Sequence, residues 1–229
     1  MNILALDTAT PSTAVALASA SAVLEARDDV ALPARGNHAE RLLALAAGLL
    51  EQAGIGWRAL DLVAVGVGPG GYTGLRIGIA TARGIARSAD AALVGIGTLR
   101  ALAEPVRGAT AFAILDARRS ELFAAAYLDD VEVLAPCVIA PAALAGLLPA
   151  ATEPPLLAVG DGALAQRALL DAAGIALAPI DSELHHVSAA AICRLAATGA
   201  GTSPAAEDST VPLYLRRPDA ERTLAGSGR

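Results

Sequence analysis

The chain has 229 residues, with 17 basic side chains against 23 acidic ones for a formal charge of −6, and every one of its cations is arginine. Lacking lysine, it has no Walker A phosphate loop and no amine for Schiff-base or pyridoxal chemistry. An acidic chain is also a poor general holder of nucleic acid, and this length suits one large domain or two lobes with a real core.

The N-terminus, MNILALDTAT, has no basic segment and meets Asp7 early, unlike a secretory leader. Ile3–Leu6, Thr13–Ala18 and Ala22–Ala26 are short apolar runs joined by connections too brief for a parallel crossover, so the spacing predicts an antiparallel meander of three strands. His38–Ala53 is expected to be helical, with Leu42, Leu45 and Leu49 on one face and Leu43, Ala47 and Leu50 on the next. Leu62–Val67 reads as a strand buried on both faces, broken by Gly68-Pro69-Gly70-Gly71. Thr73 is the expected N-cap of a helix to about Ser88; Ala92–Ile96 is a further strand, and Thr98 caps a helix through Ala103. Glu104-Pro105 then marks a lobe boundary, giving lobes 1–104 and 105–208.

The second lobe opens with strands Ala111–Leu115 and Glu121–Leu128 around Asp116-Ala117-Arg118-Arg119. Val133–Thr152 is the longest uncharged stretch, but Pro136, Pro141 and Pro149 divide it below membrane-spanning length. Pro141 starts a short helix to Leu148. Leu156–Val159 is a strand running into Gly160-Asp161-Gly162 and a helix to Ala173, and Ser188 precedes a helix over 189–197. Gly199–Asp208 has linker composition, Val211–Arg217 is apolar then basic, and Ala225–Arg229 is expected to fray. Cys137 and Cys193 lack a CxxC partner, as expected of two buried thiols in a cytosolic protein.

Gly66–Gly71 matches the G-x-G-x-x-G dinucleotide pattern, with Asp90 after the following helix. It follows a meander rather than opening the fold, Pro69 removes an N–H donor, and Asp90 precedes the next strand, all of which argue against NAD or FAD. The helix after it contains Gly74, Gly78 and Gly84, each costing about 0.5–1 kcal/mol relative to alanine. Either another backbone approaches closely inside the lobe, or this helix and the broad-faced one before it enter an intermolecular bundle. Arg76, Arg83 and Arg87 share its polar side. Asp7-Thr8 can hold a metal–phosphate or satisfy its own turn. His38, His185 and His186 form no metal-binding pair, so neither a catalytic metal nor, without a GxSxG elbow, a serine nucleophile is indicated.

ILALDTAT at Ile3–Thr10, NHAERLL at Asn37–Leu43, VGPGGYTGLRIGIATARGIA at Val67–Ala86, LDARRSELFAAAY at Leu115–Tyr127, VGDGA at Val159–Ala163 and PLYLR at Pro212–Arg216 resemble, in order, the TsaB (YeaZ) family. The resemblance implies an α/β, two-lobed fold of the actin/Hsp70/sugar-kinase (ASKHA) type, each lobe beginning with an antiparallel meander, with 209–229 returning to the first lobe. It implies a cytoplasmic, noncatalytic subunit for N6-threonylcarbamoyladenosine formation in tRNAs reading codons that begin with A. Such a subunit pairs with the transferase TsaD and the ATPase TsaE, forms a homodimer when alone, and leaves most tRNA contact to the complex. No cofactor is required by this reading. The partner interface falls on Leu42, Leu45, Leu49, Gly74, Leu75, Gly78, Ile79, Ala82 and Ile85. Asp7, Thr8, Asp116, Gly160 and Gly162 fall where nucleotide-binding relatives hold ATP or ADP with magnesium, although Ala9 stands where close phosphate approach wants glycine. The alternative is a nucleotide-binding ASKHA enzyme, a hydrolase or small-molecule kinase.

Overall fold

A computed structural model describes residues 1–28, 38–147, 155–200 and 210–215. Strands β1 (Ile3–Asp7), β2 (Thr13–Ala18) and β3 (Val23–Asp28) form the expected meander, in register Ile3↔Ala18 and Thr13↔Asp28. Helix α1 (His38–Ala53) then leads to β4 (Leu62–Gly66), which pairs parallel to β1; α2 (Tyr72–Ala89) leads to β5 (Ala92–Ile96), parallel to β4. After α3 (Thr98–Ala103) the plan repeats. Antiparallel strands β6 (Thr110–Asp116), β7 (Leu122–Leu128) and β8 (Val131–Ile139) are followed by β9 (Leu156–Val159), helices α4 (Asp161–Ala165) and α5 (Arg167–Ala172), and β10 (Ala176–Leu177). Helix α6 (Ala189–Ala197) ends the set. The two sheets run β3-β2-β1-β4-β5 and β8-β7-β6-β9-β10, the same order with the same strand senses. This duplicated plan is the two-lobed, actin-like α/β architecture.

Packing crosses the division at residues 104 and 105. Helix α3 follows the first sheet but packs on β6 and β7, while α6 follows the second and packs on β1 and β2. Both are apolar nearly all round: five of six residues of α3 and seven of nine of α6 are buried. A helix with no polar face needs cover on every side, and the space between two sheets supplies it. One continuous core therefore runs from Ile3, Ala5 and Ile96 through Leu99, Leu102 and Ile192 to Leu115 and Phe123. Glu104 fastens the exchanged helices at the rim, accepting bonds from Arg194 Nε (3.0 Å) and Nη2 (2.6 Å) and from Arg107. Burial pushes its carboxyl up, but the two guanidinium groups outweigh that and hold it below the usual carboxylate range. On the outer face of the first sheet, α1 and α2 cover Leu4, Leu6, Val15 and Leu17.

Several local expectations change. The N-cap positions are Gly71 and Gly97, not Thr73 and Thr98, and neither uses a side chain. The helix expected over 160–173 breaks at Gln166 into α4 and α5, and the Pro141 helix is a 3-10 turn over Pro141–Gly146. Strand β8 overlaps the uncharged stretch and runs through Pro136. It is an edge strand with a register irregularity, where a missing N–H costs no ladder bond. Ser188 does cap α6, accepting the Ala191 N–H. Cys193 is buried; Cys137 is half-buried on β8. Leu148, the linker from residue 201 on, Arg216, Arg217 and Ala225–Arg229 lie outside the described residues. Thr210–Leu215 runs beside the first lobe, where Leu213 N–H donates to the Val67 carbonyl at 2.7 Å.

Candidate functional site

Asp7 ends β1, the central strand of its sheet, and is 1% exposed. Its Oδ1 accepts the Ala9 N–H at 3.0 Å, and its Oδ2 accepts the Thr98 hydroxyl at 3.4 Å. The Thr98 oxygen in turn accepts the Gly68 N–H at 3.1 Å. That is why Thr98 does not cap its own helix: its hydroxyl bridges the β1 turn and the glycine turn. Burial lifts the Asp7 carboxyl to about 6, against the lowering effect of the Ala9 and Thr98 bonds. Next to it, the Thr8 hydroxyl donates to the Gly74 carbonyl at 2.7 Å, and Gly71 N–H donates to the Ala9 carbonyl at 2.7 Å. His38, the buried first residue of α1, joins the same layer through Nδ1, 2.8 Å from Thr13 Oγ1, and burial holds it below its ordinary pKa.

The glycines belong to this turn. A Cβ on Gly70 would lie 2.3 Å from the Ala9 carbonyl, one on Gly74 2.0 Å from the Thr8 carbonyl, and one on Gly78 2.4 Å from the Thr8 hydroxyl. The approaching backbone that these helical glycines require is the chain's own β1–β2 turn. The same contact disposes of the dinucleotide pattern, since Gly66 is packed on Asp7, Gly70 and Gly71 on Ala9 and Gly68 on Leu75 and Leu213, and Asp90 is an exposed left-handed C-cap (φ 57°).

Asp116 holds the matching place at the end of β6, but there it is exposed. Its N–H donates to Asp161 Oδ1 at 3.0 Å and its Oδ1 accepts the Arg118 N–H at 2.7 Å. Gly160, at φ 105°, and Gly162 press against β6: added Cβ atoms would lie 2.1 Å from the Ile114 carbonyl oxygen and 2.7 Å from the Leu115 carbonyl carbon. His185 closes the turn from behind. Its Nε2 lies 3.2 and 3.0 Å from the carbonyls of Ala178 and Pro179, and its Nδ1 lies 3.2 Å from both the N–H and the carbonyl of Gly160. Sequence gave no sign of this role for His185 or of Thr98's. Helix α3 links the two turns, with Thr98 on Asp7 and Leu102 against Gly160.

These residues do not fit a magnesium–nucleotide. Both Asp7 oxygens are engaged inside the protein, Ala9 fills the space under Gly70, and the Gly160 and Gly162 surfaces are spent on β6. Among the described residues no cluster of three His, Cys, Asp or Glu side chains could hold a metal ion.

The expected interface residues lie mostly inside the lobe. Leu42, Leu49, Gly74, Leu75, Gly78, Ile79, Ala82 and Ile85 are buried within the lobe, and Leu45 is half-buried. What α1 and α2 leave outside is a groove of about 420 Å³ lined by Leu43, Trp57, Thr81, Gly84 and Ser88, with Ile85 at its floor. Leu43 is 48% exposed, and Gly84 has nothing within 4 Å of an added Cβ. Periodicity marks the buried faces of α1 and α2, because the apolar arc that covers a sheet is a stronger signal than the small-residue face beside it.

The model of the family described as "TsaD: tRNA N6-adenosine threonylcarbamoyltransferase" matches residues 32–222. An uncharacterized protein of Mycobacterium tuberculosis is 34% identical over 220 residues, 96% of this chain and 93% of the relative. The tRNA threonylcarbamoyladenosine biosynthesis protein TsaB of Escherichia coli is 37% identical over 134 residues, 57% of this chain and 56% of that protein. YeaZ from Pseudomonas aeruginosa superposes with a TM-score of 0.72 at 28% identity, covering 93% of this chain and 99% of that one. The chain belongs to the TsaB (YeaZ) branch of the TsaD family. In this TsaB-family chain the β1 turn is closed by internal bonds, while the α1–α2 groove is open. No helix among the described residues is long and apolar enough to cross a membrane.

Proposed function

We propose that this chain is a cytoplasmic, noncatalytic subunit of tRNA threonylcarbamoyladenosine biosynthesis. Through the α1–α2 groove it clasps a TsaD-type transferase, or a second copy of itself when that partner is absent, and a TsaE-type ATPase joins the pair. It acts without a bound nucleotide. One contrast carries this reading: the Asp7 carboxylate and the Thr8 hydroxyl are taken up by internal bonds, whereas Leu43, Trp57 and Gly84 form an apolar groove that no described segment of the chain covers. Mid-helix glycine costs about 1 kcal/mol relative to alanine. Gly84 recovers none of that within the described fold, as expected of a notch kept for a partner.

The test is a tRNA modification assay with the cognate transferase and ATPase, with and without this chain. Product formed equally well in its absence defeats the proposal. For the groove, Gly84→Arg and Leu43→Asp should each weaken association with the transferase at least about tenfold, while melting stays within the roughly 0.5 kcal/mol typical of surface substitutions. Undiminished co-elution of either variant would remove the groove from the interface.

A further inference from the structure

Helix α2 has no acidic residue between Tyr72 and Ala89, in a chain of net charge −6. Its three arginines, Arg76, Arg83 and Arg87, fall on one face at helical spacing, and all are exposed. Elsewhere Arg27, Arg41, Arg100, Arg107, Arg118, Arg167 and Arg194 each lie beside a carboxylate. On α2 the pattern differs: Arg76 donates to the Tyr214 hydroxyl (3.1 Å) and Arg83 to the Thr210 carbonyl (3.0 Å), both neutral acceptors. The positive charge of this face is therefore not cancelled by any described carboxylate bond.

Beside the arginines lies the chain's only described pair of exposed aromatic rings. Tyr72 is 44% and Tyr214 38% exposed; their rings stack at 5.3 Å and 27°, with the Arg76 guanidinium 4.0 Å over Tyr72. The whole sequence has two Phe, one Trp and three Tyr, so two of six aromatics stand together on this surface. From Arg76 to Arg87 the cationic row continues for about 16 Å of helix.

We infer that this α2 face, Tyr72, Arg76, Arg83 and Arg87 with Tyr214, binds a single-stranded segment of RNA, phosphates on the arginines and a splayed base on the tyrosine ledge. The choice of RNA rests on the tRNA-modification reading above. The surface itself favours a nucleic acid strand over an acidic peptide, because a peptide would use the cations but leave the flat aromatic ledge unused. The centre of the row lies roughly 80° to 140° around α2 from Gly84, Ser88 and Thr81, with Arg87 nearest the groove at about 60° from Gly84, so strand and protein partner would meet adjoining faces of one helix. The overall acidity of the chain limits general nucleic-acid binding and confines contact to this strip.

The test is fluorescence anisotropy of the full chain with a labelled anticodon stem-loop, a single-stranded oligonucleotide and a duplex of equal length, across a salt series. We expect the loop and the single strand to bind in preference to the duplex. Arg87→Gln should lower the salt slope by about one, and Tyr72→Ala should weaken single-strand binding roughly tenfold. Arg87 bonds no described residue, so its variant keeps the test valid if Tyr72→Ala disturbs the fold. Absence of binding at low salt, equal affinity for duplex, indifference to Arg87→Gln, or equal displacement by polyglutamate would each overturn the assignment. If RNA binding fails while tRNA modification still needs the chain, only this inference falls. If the chain proves dispensable for modification yet binds RNA through Arg87, the strip stands and the subunit reading falls.

Discussion

Gly78→Leu is expected to destabilise the first lobe by about 3 kcal/mol or more, through overpacking plus a lost buried hydrogen bond. In a circular-dichroism melt that corresponds to a fall in Tm of roughly 6–12 °C for a chain of this size. The cause is the Thr8 hydroxyl, 2.4 Å from where the new Cβ must go. That hydroxyl donates to the Gly74 carbonyl at 2.7 Å, so it cannot rotate aside without leaving a buried hydroxyl unpaired. Nor can the helix back away, because Gly71 is bonded to Ala9 at its start and Gly74 would lose the same turn. Gly84→Leu, on the same helix with open space above it, is the control: it should leave the melt unchanged or raise it slightly, since leucine is the better helix former. If Gly78→Leu melts with the wild type, the glycines do not serve the β1–β2 turn. A charged residue at Gly78 is for the same reason a poor probe of partner binding, since it would act on the fold first.

Much of this arrangement is legible in the sequence, and the boundary is physical. Short connections fixed the meander, and β-branched runs marked β4 and β5, because those signals are local. The oddity of Gly74 and Gly78 was visible as a helix-propensity cost, but periodicity could not say whether the approaching backbone came from inside or outside. Only the fold brings Thr8 onto α2. The exchange of α3 and α6 was likewise hidden, since two apolar helices carry no label for the sheet they will cover. Strand β8 was masked by Pro136, whose meaning changes at a sheet edge. For the phosphate turn, Asp7 and Thr8 were found at once, but their side chains are satisfied by Thr98 and Gly74, far along the chain, and no motif encodes that. Hydrophobic spacing singles out Leu42, Leu45 and Leu49 because it reports what is buried, and a docking surface is what burial leaves over.

Asp7→Asn is expected to stabilise the protein relative to wild type as pH rises from 4 to 7, by about 2 kcal/mol across that window. The Asp7 carboxyl sits near 6 in the folded state against 3.8 for an unperturbed group, raised chiefly by burial. A raised value means the folded state binds the proton more tightly than the unfolded chain does. The stabilising contribution of protonated Asp7 is thus complete below about 3.8 and lost as pH climbs through about 6, where an anion must be carried inside the protein. Asparagine keeps an oxygen for the Ala9 N–H and never ionises. Urea unfolding of both proteins at pH 4 and pH 7 isolates the effect, because other titrations cancel in the difference. Glu104, for example, is lowered in the fold and loses its contribution as pH falls, equally in both proteins. A difference that stays flat between the two pH values would mean that Asp7 is ionised throughout, as a cation ligand requires. In that event magnesium should raise the wild-type Tm at pH 7 and leave the variant unmoved. The internal bonds to Ala9 and Thr98 lead us to expect the opposite: a pH-dependent gap between the proteins, and no response to magnesium in either.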